Sequence, residues 1–256
     1  MAQPVKRIHV LPGPAELARA AAGRLWGIAR DRAASGPVHI ALSGGETPRR
    51  AYGALSSEPY RSGFPWEAVH FWQVDERFVP ADDPRSNRRM IREELLDPVR
   101  FPPERFHWVD TALPDPAAAA AKYESELRKA FSGGSRGLPR LDAVVLGLGA
   151  DGHTASLFPG GSPGASGKEL ALPAIGGDPP LPRVTMSPAL INAAACILFL
   201  VQGERKAKAL RDLAAAARDA SLRAPGFPAG QVAPARGTLL ILADADAARL
   251  LPPGGI

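Results

Sequence analysis

Short apolar runs alternate along the chain with longer stretches whose apolar positions recur near the helical period. The apolar runs are RIHVL (7–11), VHIAL (38–42), AVHFWQV (68–74), RFHWVD (105–110), LDAVVLGLG (141–149), RVTMS (183–187), AACILFLVQG (194–203) and GTLLILAD (237–244). Between them lie helical stretches such as PAELARAAAGRLWGIARDRAAS, TPRRAYGAL, RRMIREELL, DPAAAAAKYESELRKAF and ERKAKALRDLAAAARDA. Strand–helix alternation of this kind predicts an α/β fold, a mainly parallel central sheet with helices on both faces. AVVLGLG and CILFLV are apolar without alternation, as strands buried on both faces should be. The segments FSGGSRGLPR (131–140), GGSPGASGKELALPAIGGDPPLPR (160–183) and RAPGFPAGQVAPARG (223–237) read as Gly/Pro-rich loops. The strand pattern resumes after each and no internal repeat is present, so residues 1–256 are expected to form a single domain.

Composition narrows the classes. The chain has 256 residues, 45% hydrophobic and 22% charged, enough for a sizeable core. No apolar run approaches the roughly 20 residues that span a bilayer, so no membrane role is expected. The start, MAQPVKRIHV, lacks the apolar stretch of a signal peptide, and a cytoplasmic location is the expectation. The lone Cys196 sits in an apolar run and is expected to be a buried thiol. The net charge of +5 suits an anionic small molecule. Its basic residues are scattered and no nucleic-acid motif accompanies them, so no nucleic-acid partner is expected. Neither C-x-x-C nor H-E-x-x-H occurs, so no dedicated structural or catalytic zinc site is expected.

Parallel sheets bind ligands at the carboxyl ends of their strands, and here four strands end in polar clusters. VHIAL runs into SGGETP, where Ser43, Gly44 and Gly45 make a tight turn, Thr47 is placed to cap a helix and Pro48 fits its first turn. Free N–H groups at such a helix start suit a phosphate, although the same turn serves equally with no ligand. HFWQV runs into DER, where Asp75 and Arg77 are expected to share a face. ILFLV runs into QGERK, which sets the cation Lys206 in the first turn of a helix, against the helix dipole, where a ligand phosphate would offset the mismatch. Arg183 offers a further positive charge. DAVVL runs into GLGADGHT, where a curled loop lets Asp151 orient the imidazole of His153. Histidine titrates near neutral pH and suits a general base. Taken alone, that loop reads equally well as a helix cap with a spectator histidine. Four clusters at one sheet edge favour catalysis.

LSGGETP, VDERFVPADDPRSN, GLGADGHTASLFPG, RVTMSPALINAA and GERKAKAL occur in one order over residues 43 to about 210. Together they resemble the 6-phosphogluconolactonase family of the glucosamine/galactosamine-6-phosphate isomerase superfamily. DGHTASLFP and DER differ from the DGHIAFNEP-like and DEY-like wording of the related deaminases, whereas SGG with TP is shared across the group. The resemblance implies a three-layer αβα sandwich similar to that of glucosamine-6-phosphate deaminase. It implies hydrolysis of 6-phospho-D-glucono-1,5-lactone, a small sugar-phosphate partner, as the second step of the oxidative pentose phosphate pathway, without a metal or organic cofactor. The sequence leaves the oligomeric state open, with a monomer as the expectation. Carried over by position, His153 would activate water and Asp151 would orient it. Ser43, Gly44, Gly45, Thr47, Arg183 and Lys206 would hold the phosphate, and Asp75 and Arg77 would sit near the lactone ring. The alternatives are an amino-sugar-phosphate isomerase/deaminase and a sugar-phosphate sensor without turnover. GGSPG (160–164) matches a nucleophile elbow only superficially, since no buried strand leads directly into it.

Overall fold

The computed structural model describes residues 5–132, 137–161, 167–234 and 236–252. Its strands are β1 (Val5–Leu11), β2 (Val38–Leu42), β3 (Val69–Gln73), β4 (Asp75–Arg77), β5 (Phe106–His107), β6 (Ala143–Gly147), β7 (Ala171–Gly176), β8 (Leu181–Met186), β9 (Cys196–Val201) and β10 (Thr238–Asp244). Its helices are α1 (Pro14–Ala33), α2 (Glu46–Leu55), α3 (Tyr60–Gly63), α4 (Asn87–Ile91), α5 (Pro116–Ala130), α6 (Pro188–Asn192), α7 (Ala207–Arg218) and α8 (Ala245–Ala248). A seven-stranded sheet runs in the order β1-β10-β9-β6-β2-β3-β5. Every pairing in it is parallel.

Side-chain alternation sends neighbouring residues of one strand into different cores, which is why the central strands read as continuous apolar runs. Val144 and Leu146 of β6, with Ile197, Phe199 and Val201 of β9, join Tyr123, Leu127, Leu210 and Leu213 on one face. Val145, Leu198 and Leu200 join Leu17, Leu25, Tyr52 and Ile91 on the other. The result is the expected three-layer αβα sandwich. Local signals agree with it. Pro14 opens α1, with Glu16 in the first turn and Arg30 and Arg32 in the last. Asp115 caps α5 by accepting from the Ala118 N–H at 2.8 Å.

Four readings of the sequence need correction. DER is not merely a strand end: Asp75–Arg77 is itself the strand β4, in a separate three-stranded sheet of order β4-β8-β7. That sheet is antiparallel, so RVTMS does not join the central sheet. Its edge hydrogen bonds and the Val184 and Met186 side chains, buried against the main core, stabilise it where the parallel ladder has no place for it. The 160–183 segment is not all loop, because it carries β7 and the start of β8. Much of GGSPG (160–164) lies outside the described residues. The run at 105–110 forms only the two-residue β5. Cys196 is buried, as its apolar run implies.

Candidate active site

β9, β6, β2 and β3 are consecutive in the sheet, so their carboxyl ends bring the polar clusters to one place. A cleft of about 590 Å³ opens there, lined by Ser43, Gly44, Gly45, Thr47, Asp75, Arg77, His153, Arg183 and Lys206. Asp151, the remaining residue expected at the site, does not line the cleft but is bonded to His153.

The dyad rests on a curled loop. Gly149 N–H donates to the His153 carbonyl at 2.8 Å, and Gly152 N–H donates to the Gly149 carbonyl at 3.0 Å. A side chain at Gly149 would run into both the His153 ring and the Asp151 carboxylate, so the loop after β6 needs glycine at this position for the pair to form. Asp151 Oδ1 lies 2.6 Å from His153 Nδ1 and accepts the His153 N–H at 3.1 Å. Burial alone would push the Asp151 carboxyl up, but these hydrogen bonds outweigh it and hold the group below its ordinary value. With Nδ1 committed to the carboxylate, Nε2 is the nitrogen that can take a proton.

Two walls of the cleft are cationic. On one, β4 pairs with β8 so that Arg77 and Arg183 are cross-strand partners. Arg183 Nε donates to the Gly176 carbonyl at 3.0 Å, and Arg77 Nη1 donates to the Arg85 carbonyl at 2.6 Å. Burial lowers the Arg183 guanidinium, with nearby Asp75 opposing that and Arg77 adding to it. On the other wall, burial lowers the Lys206 ammonium, against the pull of Asp151. Among the described residues none of Arg77, Arg183 and Lys206 forms an ion pair, although surface arginines such as Arg19, Arg85 and Arg89 do. Arg77 Nε is buried without a hydrogen-bond partner among them. Partly desolvated cations without carboxylates are costly, and an anion offsets that cost.

The turn after β2 differs from expectation in detail. Gly45, at φ +105°, stands at the N-cap of α2, and the helix begins at Glu46, so Thr47 lies inside the first turn and is not the cap. The Ser43 hydroxyl donates to the Val145 carbonyl at 2.7 Å, which ties the turn to β6 and commits its one proton. What this turn offers an anion is therefore chiefly backbone N–H at the start of α2 and the Thr47 side chain.

A model of the family described as glucosamine-6-phosphate isomerases/6-phosphogluconolactonase matches residues 12–241. A 6-phosphogluconolactonase of Synechocystis sp. is 40% identical over 214 residues, covering 84% of this chain and 85% of that protein. The chain belongs to this family. A solved 6-phosphogluconolactonase of Trypanosoma brucei superposes with a TM-score of 0.81 at 30% identity, over 98% of this chain and 100% of that one. One from Thermotoga maritima gives a TM-score of 0.77 at 29% identity, over 93% and 99%. A monomeric glucosamine-6-phosphate deaminase, 21% identical over 95% of this chain and 99% of its own, shares the fold with a TM-score of 0.79.

Within this family frame, several further residues support the site. Asp75 is buried and its Oδ2 accepts from the Ser156 hydroxyl at 2.6 Å, joining β4 to the loop that carries His153. Asn87 lines the cleft, donates to the Asp75 carbonyl at 2.9 Å, and lies where a side chain at Gly44 would have to go. Glu76 points away from the cleft and is the anchor of this corner. Its carboxylate accepts from Gln73 Nε2, the Ser86 hydroxyl and the N–H groups of Arg77, Asn87 and Arg88, at 2.7–3.1 Å. Burial raises its carboxyl and those donors oppose the rise. The period of two separated Glu76 from Asp75 and Arg77, but nothing local in the sequence announced Asn87 or Ser156, whose partners are far along the chain. Phe158, Gln202 and Arg205 also line the cleft, and Gln202 Oε1 is buried without a partner among the described residues. Among those residues no group of three His, Cys, Asp or Glu is arranged to hold a metal ion. Among the described residues no helix is long and apolar enough to cross a membrane.

Proposed function

We propose that the protein hydrolyses 6-phospho-D-glucono-1,5-lactone to 6-phospho-D-gluconate. The observation that carries the reading is the pairing of His153 Nδ1 with Asp151 at 2.6 Å on a cleft whose Arg77, Arg183 and Lys206 have no carboxylate partner among the described residues. It supplies a base and an anion site together. The family membership and relatives called 6-phosphogluconolactonase at up to 40% identity point to the same substrate.

In this reading the 6-phosphate sits against the backbone N–H groups that open α2, Thr47, Arg183 and Lys206. Asp75 accepts from a ring hydroxyl, and Arg77 stands beside the C1 carbonyl. His153 Nε2 takes a proton from water, whose oxygen bonds to C1. Asp151 stabilises the imidazolium, and Arg77 stabilises the tetrahedral oxyanion. Collapse breaks the bond between C1 and the ring oxygen, which leaves as the 5-hydroxyl with the proton from His153. The lactone is an activated ester, so positioning, one base and one cation suffice without a covalent nucleophile or a metal. The same reading takes residues 1–256 as one domain, and the protein as a cytoplasmic monomer without cofactor. Burial of the small sheet against the main core supports the single domain.

The test is lactone hydrolysis by the purified protein, read as 6-phosphogluconate formed above the spontaneous background. No rate above background overturns the proposal. Ammonia released from glucosamine 6-phosphate would favour the isomerase/deaminase alternative, and tight binding of sugar phosphates without any turnover would favour the sensor.

A further inference from the structure

We propose that Phe158 is a positioning residue for this reaction, one aromatic ring that seats both the base and an anion-binding guanidinium. The inference rests on the reading of His153 as the base. The centroids of the Phe158 and His153 rings are 4.8 Å apart. Arg183 Cζ lies 5.3 Å from the centroid of the same Phe158 ring. Gly176 is built around this arrangement. A side chain there would run into the Phe158 ring, and the Gly176 carbonyl receives Arg183 Nε at 3.0 Å. One glycine thus makes room for the ring and anchors the guanidinium beside it. Phe158 also borders an apolar cavity together with Leu157, Leu172 and Ile175.

The chemistry gives the ring its purpose. A hydrogen bond to Asp151 fixes one point of the imidazole but leaves the ring plane free to swing. Contact with a second, apolar ring removes that freedom without competing for the proton at Nε2. A guanidinium stacks on an aromatic face while keeping its charge. At the moment His153 holds a proton, both neighbours of Phe158 are cations. An uncharged wall touching both fixes where they stand. A carboxylate in its place would pair with Arg183 and cancel the charge that receives the substrate.

The experiment compares wild type, Phe158→Leu and Phe158→Tyr in lactone hydrolysis, with 6-phosphogluconate affinity measured by calorimetry. The leucine variant should fold and lose about tenfold to a hundredfold in kcat, since displacement of a base by about an ångström costs this much. Its KM and its dissociation constant for 6-phosphogluconate should both rise. The tyrosine variant, which keeps the ring, should recover most of the loss. In proton NMR the His153 ring protons, assigned by their absence in His153→Ala, should lie upfield in wild type. They should return towards the free-imidazole position in Phe158→Leu. A leucine variant with wild-type kcat and KM overturns the inference, as does equal impairment by leucine and tyrosine. Should Phe158→Leu not fold, wild-type His153 resonances at the free-imidazole position overturn it. Retained activity in His153→Ala would instead sink the assignment of the base, and so separates the two failures.

Discussion

Two histidine environments in this molecule, one at each end of the central sheet, are built differently. At the carboxyl end of the sheet, His153 stands alone, tied to Asp151 and facing a cleft whose Arg77, Arg183 and Lys206 have no ion-pair partner among the described residues. Near the other end, His39, His70 and His107 pack on neighbouring strands. His70 Nδ1 lies 3.0 Å from His107 Nε2, the Trp72 indole N–H donates to His39 Nδ1 at 3.1 Å, and Trp72 stacks on His107 at 3.8 Å. Burial presses His39 and His107 down to about 4, with neighbouring His70 adding to it. Such rings are neutral and saturated by one another and by aromatic neighbours. Number of histidines does not make a site. A carboxylate on one ring nitrogen and open space at the other do.

The comparison is most severely challenged at Arg77. If it stabilises the oxyanion, Arg77→Met should lower kcat by about 10²-fold or more, while the variant keeps its far-ultraviolet spectrum and unfolding midpoint. A stopped assay with saturating lactone reads this directly, and a wild-type kcat would remove Arg77 from the chemistry. Asp151→Asn should be milder, about tenfold in kcat with KM nearly unchanged, because the amide still reaches Nδ1 but favours the imidazolium less. A KM effect without loss of kcat would make Asp151 a binding group instead of an orienting one.

Lys206→Ala should act mainly on KM, raising it roughly tenfold, since phosphate binding is largely shared by ground and transition states. Unchanged 6-phosphogluconate affinity in calorimetry would move the phosphate elsewhere. The smallest expected effect belongs to the other histidine group. His39 is harder to protonate in the folded protein than in the unfolded chain. Its contribution is therefore present at neutral pH and lost as pH falls from about 6.5 towards 4, up to about 2 kcal/mol between pH 7 and 5. His39→Gln, which still accepts from the Trp72 indole, should flatten that acid loss and leave lactone hydrolysis at pH 7 untouched. Denaturant midpoints across this range decide it, and an equally steep loss in the variant would contradict the assignment.

The central sheet was legible because strands such as AVVLG and CILFLV carry an unbroken apolar signal over buried positions. Their polar ends then pointed to one edge, where Ser43, Gly44, Gly45, Thr47, Asp75, Arg77, His153, Arg183 and Lys206 line one cleft. The small sheet was not legible. ALPAIG carries prolines and glycines in and around it and only Leu172 and Ile175 are strongly apolar, so composition hid the strand β7. The cap of α2 was misplaced because Thr47 matches the preferred cap chemistry, while the backbone turn at Gly45 decides the start. Ser156 and Asn87 were invisible because their bonds to Asp75 span 81 and 12 residues. Long-range hydrogen bonds leave no local period.

The most direct test of the account is single-turnover hydrolysis of 6-phosphogluconolactone by wild type and His153→Ala, with folding of both checked by circular dichroism. The account predicts a normally folded variant whose hydrolytic step is slower by roughly 10²–10⁴-fold, the scale of a positioned base. A folded variant that hydrolyses the lactone at nearly the wild-type rate would contradict it and reduce the Asp151–His153 pair to a feature of the loop.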